Sequence, residues 1–267
     1  MQIALMTSSH ALSSKLMHMT ETSPIPEAEP MVSGDESRRL TILETGLSLL
    51  LRALPIKHGK HRLLDLLAPR PWTRSTETVR FQYRGKTLRM RLDELVGWHF
   101  AMLRSFDPEV TATLFKAASH DKHPVFWDIG ANKCACSFEV AHLLPTANVV
   151  AIEPQSALRE INEFNLQRTV PGRFEYVQAG IGERSEQMQL VIPGANGGGA
   201  SLHCDLISDG DRTETVDIVT AGRVAACSQF GWPTLVKIDV EGHELAVIRS
   251  LTEAIEKRIC TAIVLEN

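Results

Sequence analysis

No apolar run in this chain approaches the ~20 residues that a membrane-spanning helix needs, and near the N-terminus the longest compact run is Leu49 to Leu51. A soluble protein with no membrane partner is expected. Residues 1–20 lack a signal-peptide core: Lys15 is their only formal charge, and their apolar residues are scattered among Ser, Thr, His and Met. A tail without a targeting role is the expectation. A disulfide framework is missing too, because Cys134, Cys136, Cys204, Cys227 and Cys260 are odd in number and spread out, so a reducing, cytoplasmic compartment is expected. Cys134-x-Cys136 has no second ligand pair at zinc spacing, and no metal site is assigned. There is no basic excess either. The 28 Lys and Arg against 32 Asp and Glu give −4 at pH 7, which speaks against a nucleic-acid partner held by a general positive field. No internal repeat is found.

What is present is an ordinary globular composition, 43% hydrophobic and 22% charged over 267 residues, enough for one large α/β domain with an appendage. Residues 20–37 combine Pro, Ser and acids without periodicity, so 1–37 reads as a disordered tail and linker. Residues 38–120 read as an α+β lead-in. Ser33 and Glu36 fit a capping-box spacing, and Leu40, Leu43, Leu47, Leu50, Leu51 and Leu54 recur at helical intervals until Pro55, predicting an amphipathic docking helix. From Lys57 to Arg91 ten Lys and Arg face only Asp65 and Glu77, a local excess of +8. Contact with an anionic partner and a solvated face balanced elsewhere are its two readings, the second favoured. Inside it Val79, Phe81 and Tyr83 alternate with Arg80, Gln82 and Arg84, Gly85 allows a turn, and Leu88, Met90 and Leu92 resume the alternation, predicting a β-hairpin. Asp107-Pro108 then starts a helix bearing Val110, Leu114 and Ala118.

In residues 121–267 short apolar runs alternate with amphipathic helices, the pattern of βαβ units around a parallel sheet. Strands are predicted at Val125–Ile129, Asn148–Ile152, Phe174–Gln178, Thr234–Val240 and Cys260–Leu265, with further ones at Gln187–Ile192 and Thr215–Val219. Helices are predicted at 136–144, 156–167 and 242–257.

In such a sheet the ligand sits beyond the carboxyl ends of the strands, near the first strand–helix crossing, where Asp128, Gly130 and Asn132 fall. Glu153 ends the second strand, where an acid can accept from both ribose hydroxyls of an adenosine. The loop has one glycine instead of a dinucleotide fingerprint's three, which disfavours a pyrophosphate and a nicotinamide-dependent oxidoreductase. A cofactor without phosphates fits better, and S-adenosylmethionine is one. The fourth strand brings Asp239, Glu241, His243 and Glu244 to the same edge. Asp239, Glu241 and His243 are the catalytic candidates, because methyl transfer to oxygen needs the acceptor hydroxyl stripped of its proton. A Mg²⁺ held by Asp239 and Glu241 is the alternative role. The Pro193–Ser201 segment reads equally as a mobile loop over the acceptor pocket or a plain connection.

DIGAN at Asp128–Asn132, AIEP at Ala151–Pro154, KIDVEGHE at Lys237–Glu244 and VLE at Val264–Glu266, in that order, resemble the FkbM-type S-adenosylmethionine-dependent methyltransferases over residues 124–267. The resemblance implies a class I methyltransferase, a Rossmann-like α/β fold with a mostly parallel sheet, helices on both faces, and an N-terminal helix and hairpin lead-in. It implies methylation of a hydroxyl on a sugar, polyketide or other small metabolite. Asp128, Gly130, Ala131 and Asn132 would surround the methionine part of the cofactor, with Glu153 on the ribose. Three departures accompany it. Cys134 stands where the family carries Gly, predicting a crowded methionine end. The family's aspartate after the VDIVT-like strand has no counterpart near Gly222. The final helix and antiparallel strand pair are missing after strand five, so an apolar edge is expected to pair with a second copy as a homodimer. The alternative function is a non-catalytic or truncated relative that keeps only a cofactor-shaped pocket or an interaction surface.

Overall fold

A computed structural model describes residues 37–56, 59–68, 77–92, 95–118, 121–194, 199–202 and 210–266. The expected tail and linker, Ser33 and Glu36 included, lie outside these apart from Ser37. The lead-in comprises β1 (Arg38–Arg39), α1 (Ile42–Ala53), α2 (Lys60–Leu67), β2 (Thr78–Tyr83), β3 (Lys86–Arg91), α3 (Leu95–Leu103) and α4 (Pro108–Ala117). The remainder runs β4 (Val125–Ile129), α5 (Ala135–Leu143), β5 (Asn148–Ile152), α6 (Arg159–Thr169), β6 (Phe174–Val177), β7 (Gly180–Ile181), β8 (Glu186–Ile192), β9 (Arg212–Val219), α7 (Ala221–Cys227), β10 (Leu235–Ile238), α8 (Glu244–Ser250), α9 (Thr252–Glu256) and β11 (Ala262–Leu265). No described helix is long and apolar enough to cross a membrane.

The central sheet is wholly parallel, in the order β11-β10-β4-β5-β6. Every residue of β10 is buried, and so is all of β4 and β5 apart from the first residue of each, as expected for strands covered on both faces. The order reverses between β4 and β10, so the crevice at their carboxyl ends is the place a ligand is expected. A smaller sheet, β7-β9-β8, stands beside this edge. The side chains of β11 are not an open apolar face: Ala262 and Val264 belong to the core on one side of the sheet and Ile263 to the core on the other.

The lead-in is welded to one face of that sheet. A single core runs from Leu51, Leu88, Trp98 and Phe100 through Leu114 to Phe126, Phe138 and Val149. The α1 capping box is formed by Thr41 and Glu44, at 3.2 and 2.8 Å, and so opens later than the Ser33 spacing predicts. Its apolar positions divide: Leu51 is buried, while Leu43 is 86% exposed. The hairpin forms as predicted, with Val79, Phe81 and Tyr83 facing Met90 and Leu88 inside. Helices α2 and α3 carry weaker signals. In α3, Gly97 to Leu103 are buried on all sides, which erases the amphipathic period. The predicted helix 242–257 is two helices, because the Leu251 N–H also bonds the nearer Ile248 carbonyl at 3.1 Å and tightens that turn.

Asn165 of α6, fully buried, joins the two parts: its Oδ1 accepts from the Arg89 N–H at 2.9 Å and its Nδ2 donates to the Arg89 carbonyl at 2.6 Å. Asn165→Ala leaves both backbone groups of β3 unsatisfied, at about 1–3 kcal/mol each. Unfolding free energy in urea is expected to fall by about 2–5 kcal/mol, and a loss within error would show that the hairpin is held elsewhere.

Candidate active site

Two loops meet over the reversal point. After β4 the chain passes through Gly130 (φ +75°), Asn132 (φ +45°) and Cys134 (φ +57°), three left-handed residues in five. The N–H groups of Gly130 and Ala131 both donate to the Ile152 carbonyl at 3.0 Å, and the Asn162 amide of α6 holds the Asn132 carbonyl at 2.5 Å. After β10 the Asp239 N–H donates to Ile129 O at 3.0 Å, and the chain turns through Glu241 (φ +43°) and Gly242 (φ +97°). The loops touch backbone to backbone. A Cβ on Gly130 would lie 1.7 Å from the Asp239 carbonyl oxygen, so only glycine fits.

Two cavities open on either side of this seam, and Gly130, Asn132, Asp239 and Glu241 line both. The smaller, about 60 Å³, is walled by Glu153, Gln155, His243, Ala200 and Leu202. No Lys or Arg is among its described lining residues. The larger, about 420 Å³, is walled by Lys237, Glu266, Asp107, Thr111, Glu244 and Ala131.

Glu153 is 3% exposed, and its two oxygens accept from the N–H groups of Asn132 at 2.8 Å and Gln155 at 3.0 Å. Burial raises its pKa, against the pull of those hydrogen bonds. Asp128 is fully buried under the seam: Oδ2 accepts from Ser137 N at 3.1 Å and Ser137 Oγ at 2.7 Å, while Oδ1 stands 3.9 Å from Lys237 Nζ. Its carboxyl fixes the first turn of α5. Burial raises its pKa, and Lys237 and Ser137 hold it down. Of the three catalytic candidates, Asp239 and Glu241 reach both cavities, whereas His243 lines only the Glu153 side. All three meet at the smaller cavity, and the left-handed turn at Glu241-Gly242 keeps His243 out of the larger one. Burial, with Asp239 and Glu244 nearby, raises the pKa of Glu241.

Cys134 does not crowd a cavity. It lies wholly buried in the core beneath the lead-in and lines neither space, so its departure from glycine acts on the backbone. A left-handed residue with a Cβ costs about 1–2 kcal/mol. Of the Pro193–Ser201 segment, 195–198 lie outside the described residues. Its end is pinned by Ser201, which pairs with Val191 and donates from Oγ to the Glu241 carbonyl at 2.8 Å, beside the smaller cavity.

Sequence reasoning overlooked two groups inside its own motifs. Lys237, 6% exposed, places Nζ 2.9 Å from Asp239, 3.5 Å from Glu266 and 3.9 Å from Asp128. Burial works against its charge, yet Asp239 and Asp128 outweigh burial and hold the pKa well above the usual lysine value. Glu266 is pushed up to about 7 by burial and by the neighbouring Asp239 and Asp107, against the pull of Lys237. The signal was an ionisable residue inside an otherwise apolar strand, and an acid at the end of the next one.

A folded-state pKa of about 7 against 4.5 means that folded protein keeps a proton on Glu266 that unfolded protein releases between those values. The contribution of Glu266 to stability is complete below pH 4.5 and declines as pH rises through about 7. In urea titrations from pH 4.5 to 7 wild type should lose stability relative to Glu266→Gln. A constant difference over that range would contradict the assignment.

The methyltransferase FkbM domain model matches residues 128–267, more than half of the chain. Hexuronic acid methyltransferase AglP of Haloferax volcanii is 27% identical over 164 residues, 60% of this chain. The aligned region spans 62% of that relative, less than two thirds of its length. Among solved structures, precorrin-6y C5,15-methyltransferase of Geobacter metallireducens superposes with a TM-score of 0.23 at 28% identity, covering 27% of this chain and 38% of its own. Coclaurine N-methyltransferase bound to N-methylheliamine and SAH gives 0.24 at 17%, covering 51% and 38%. These partial overlaps leave the fold to be read from the chain's own parallel sheet and its strand order. The chain belongs to the FkbM methyltransferase family, and its cofactor is S-adenosylmethionine.

Proposed function

We propose that this chain methylates a hydroxyl oxygen of a small metabolite, with the cofactor laid across the Gly130–Asp239 seam and the acceptor in the larger cavity. The observation that carries this reading is the pair of cavities sharing Gly130, Asn132, Asp239 and Glu241.

The residues fit that cofactor. Asn132 Oδ1 is buried without a hydrogen-bond partner and can accept from an ammonium group. Each Glu153 oxygen accepts one backbone N–H, and the carboxylate also takes a side-chain hydrogen bond from Gln155 that a ribose hydroxyl can replace. Asp239 and Glu241 offer negative charge to a sulfonium, and the smaller cavity has no lysine or arginine among its described lining residues to meet a phosphate. When bound, S-adenosylmethionine supplies an electrophilic methyl group on a positively charged sulfur.

Glu266 is the base in this reading. A carboxylate with a pKa near 7 can take the hydroxyl proton as the oxygen attacks, and Lys237, 3.5 Å away, fixes its position. Asp128 is a positioning residue that balances Lys237 and anchors α5. His243, on the Glu153 side, lies beside the nucleoside. At about 60 Å³ that side is narrower than common ligand pockets of about 300–1,000 Å³. Ala200 and Leu202 have to move aside for binding, and this same narrowness favours the second reading, a relative that no longer binds cofactor.

Calorimetric titration with S-adenosylhomocysteine separates the two. One-to-one binding is expected, weakened at least about tenfold in Glu153→Ala, the equivalent of ~1.4 kcal/mol. A folded wild-type protein that does not bind supports the second reading. With cofactor saturating, Glu266→Gln should slow methyl transfer by about 10²–10⁴-fold with binding unchanged, whereas His243→Ala should weaken binding more than turnover. An unaltered rate in Glu266→Gln would place the base elsewhere.

A further inference from the structure

A cavity of about 720 Å³ lies in the lead-in, between Ile56 and the start of α2, the turn joining β2 to β3 and the segment joining α3 to α4. It shares Phe106 and Asp107 with the larger cavity of the methyltransferase site. Three polar atoms on its lining residues are buried and unmet: Arg104 Nη1 and His61 Nε2 have no hydrogen-bond partner, and Tyr83 Oη, beside the donor Arg84, has no acceptor for its O–H. Each such group costs about 1–3 kcal/mol when left unmet, more when charged.

Neither acid of the described lining, Asp107 or Glu109, meets the Tyr83 O–H or Arg104 Nη1. Tyr83 is 3% exposed, and the group beside it is Arg84, itself a donor, whose guanidinium lies 5.5 Å from the ring centroid. Arg104 is fixed in place, with Nε donating to the Gln82 carbonyl at 2.7 Å and the guanidinium 4.3 Å from the Phe81 ring centroid, so Nη1 is presented in a set direction. Burial and the charge of Arg52 lower the Arg104 pKa to about 10, as for a cation whose neighbour carries the same sign. Arg52, Lys60, Arg84 and Arg104 line the cavity against Asp107 and Glu109, and Asp107 already caps α4 through the N–H groups of Glu109 and Val110. His61 engages the Ser105 backbone, leaving Nε2 to accept from a hydroxyl near the anion.

The sign of charge reverses across the Phe106–Asp107 wall. On the methyltransferase side Asp107, Asp239, Glu241, Glu244 and Glu266 face Lys237, the one cation among the described lining residues, so an oxyanion is repelled there. We propose that the lead-in cavity is an anion site that holds the carboxylate or phosphate of a hydroxylated acceptor through Arg104 and Tyr83. Its place in acceptor binding rests on the methyltransferase reading; the anion site itself does not.

The test is calorimetric titration of the full chain, without cofactor, using inorganic phosphate, D-glucuronate and uncharged D-glucose. Saturable binding of phosphate or glucuronate, but not of glucose, is expected, and the anion that binds identifies the source. Tyr83→Phe removes a hydroxyl that donates to no acceptor in the free protein and meets only the donor Arg84. It should leave thermal stability intact while weakening anion binding about fivefold, as for one hydrogen bond. Arg104→Met should weaken it by at least about tenfold, as for a charged one. Absence of anion binding, or binding that neither variant alters, would overturn the proposal. Because no turnover is measured, a protein inactive in methyl transfer can still pass or fail this test.

Discussion

The contact between the Gly130 backbone and the Asp239 carbonyl organises everything around it. A Cβ at 1.7 Å cannot be accommodated by relaxing a flexible side chain, since the opposing atom is main chain. Both loops can approach this closely because each begins at the end of a buried strand and turns at once into left-handed geometry, at Gly130 in one and Glu241-Gly242 in the other. The approach divides the crevice above the sheet into two cavities and gives them one shared wall. Asn132 and the acids of the second loop consequently face both sides.

Charge at the site is arranged around the buried Lys237. Lys237 rises from the middle of the sheet and draws Asp128, Asp239 and Glu266 from three parallel strands or their ends. Three carboxylates near one ammonium leave an excess of negative charge, which adds to burial in raising the Glu266 pKa. Removing a partner from a buried set of this kind leaves charge without compensation, so the set acts as a unit. The lead-in covers the same cavity through Phe106, Asp107 and Thr111 and adds its own acid, Asp107, to the group. Thr111 also donates to the buried carboxyl of Glu139 in α5 at 2.7 Å, binding the cover to the sheet's own helix.

The parallel sheet was legible because fully buried strands leave unbroken apolar runs, such as Val149 to Ile152, which need no tertiary knowledge to read. Predicted limits for Val125–Ile129 and Asn148–Ile152 coincide with β4 and β5. The strand expected at Thr234–Val240 is shorter, since the main chain leaves the sheet after Ile238 to reach Gly130. Helix α3 was missed because burial on every face leaves no polar stripe to mark a period. At the site, positions along the strands were readable and directions were not. Asp128 was visible as a strand-end acid, but its Ser137 and Lys237 partners turn it inward. His243 stands close to Glu241 in sequence, yet across a left-handed turn it lines only the smaller of the two cavities that Glu241 reaches. Glu266 was passed over because its importance arises from neighbours far away in sequence.

The central claim is that one ligand spans the seam, with its nucleoside toward Glu153 and its methionine end toward Asn132 and Asp239. The most direct measurement is a crystal structure of the full chain with S-adenosylhomocysteine. The account predicts both ribose hydroxyls on the Glu153 carboxylate, Ala200 and Leu202 displaced, and the sulfur facing the cavity that contains Lys237 and Glu266. A ligand lying wholly on one side of Gly130, or bound without contact to Glu153, would contradict it.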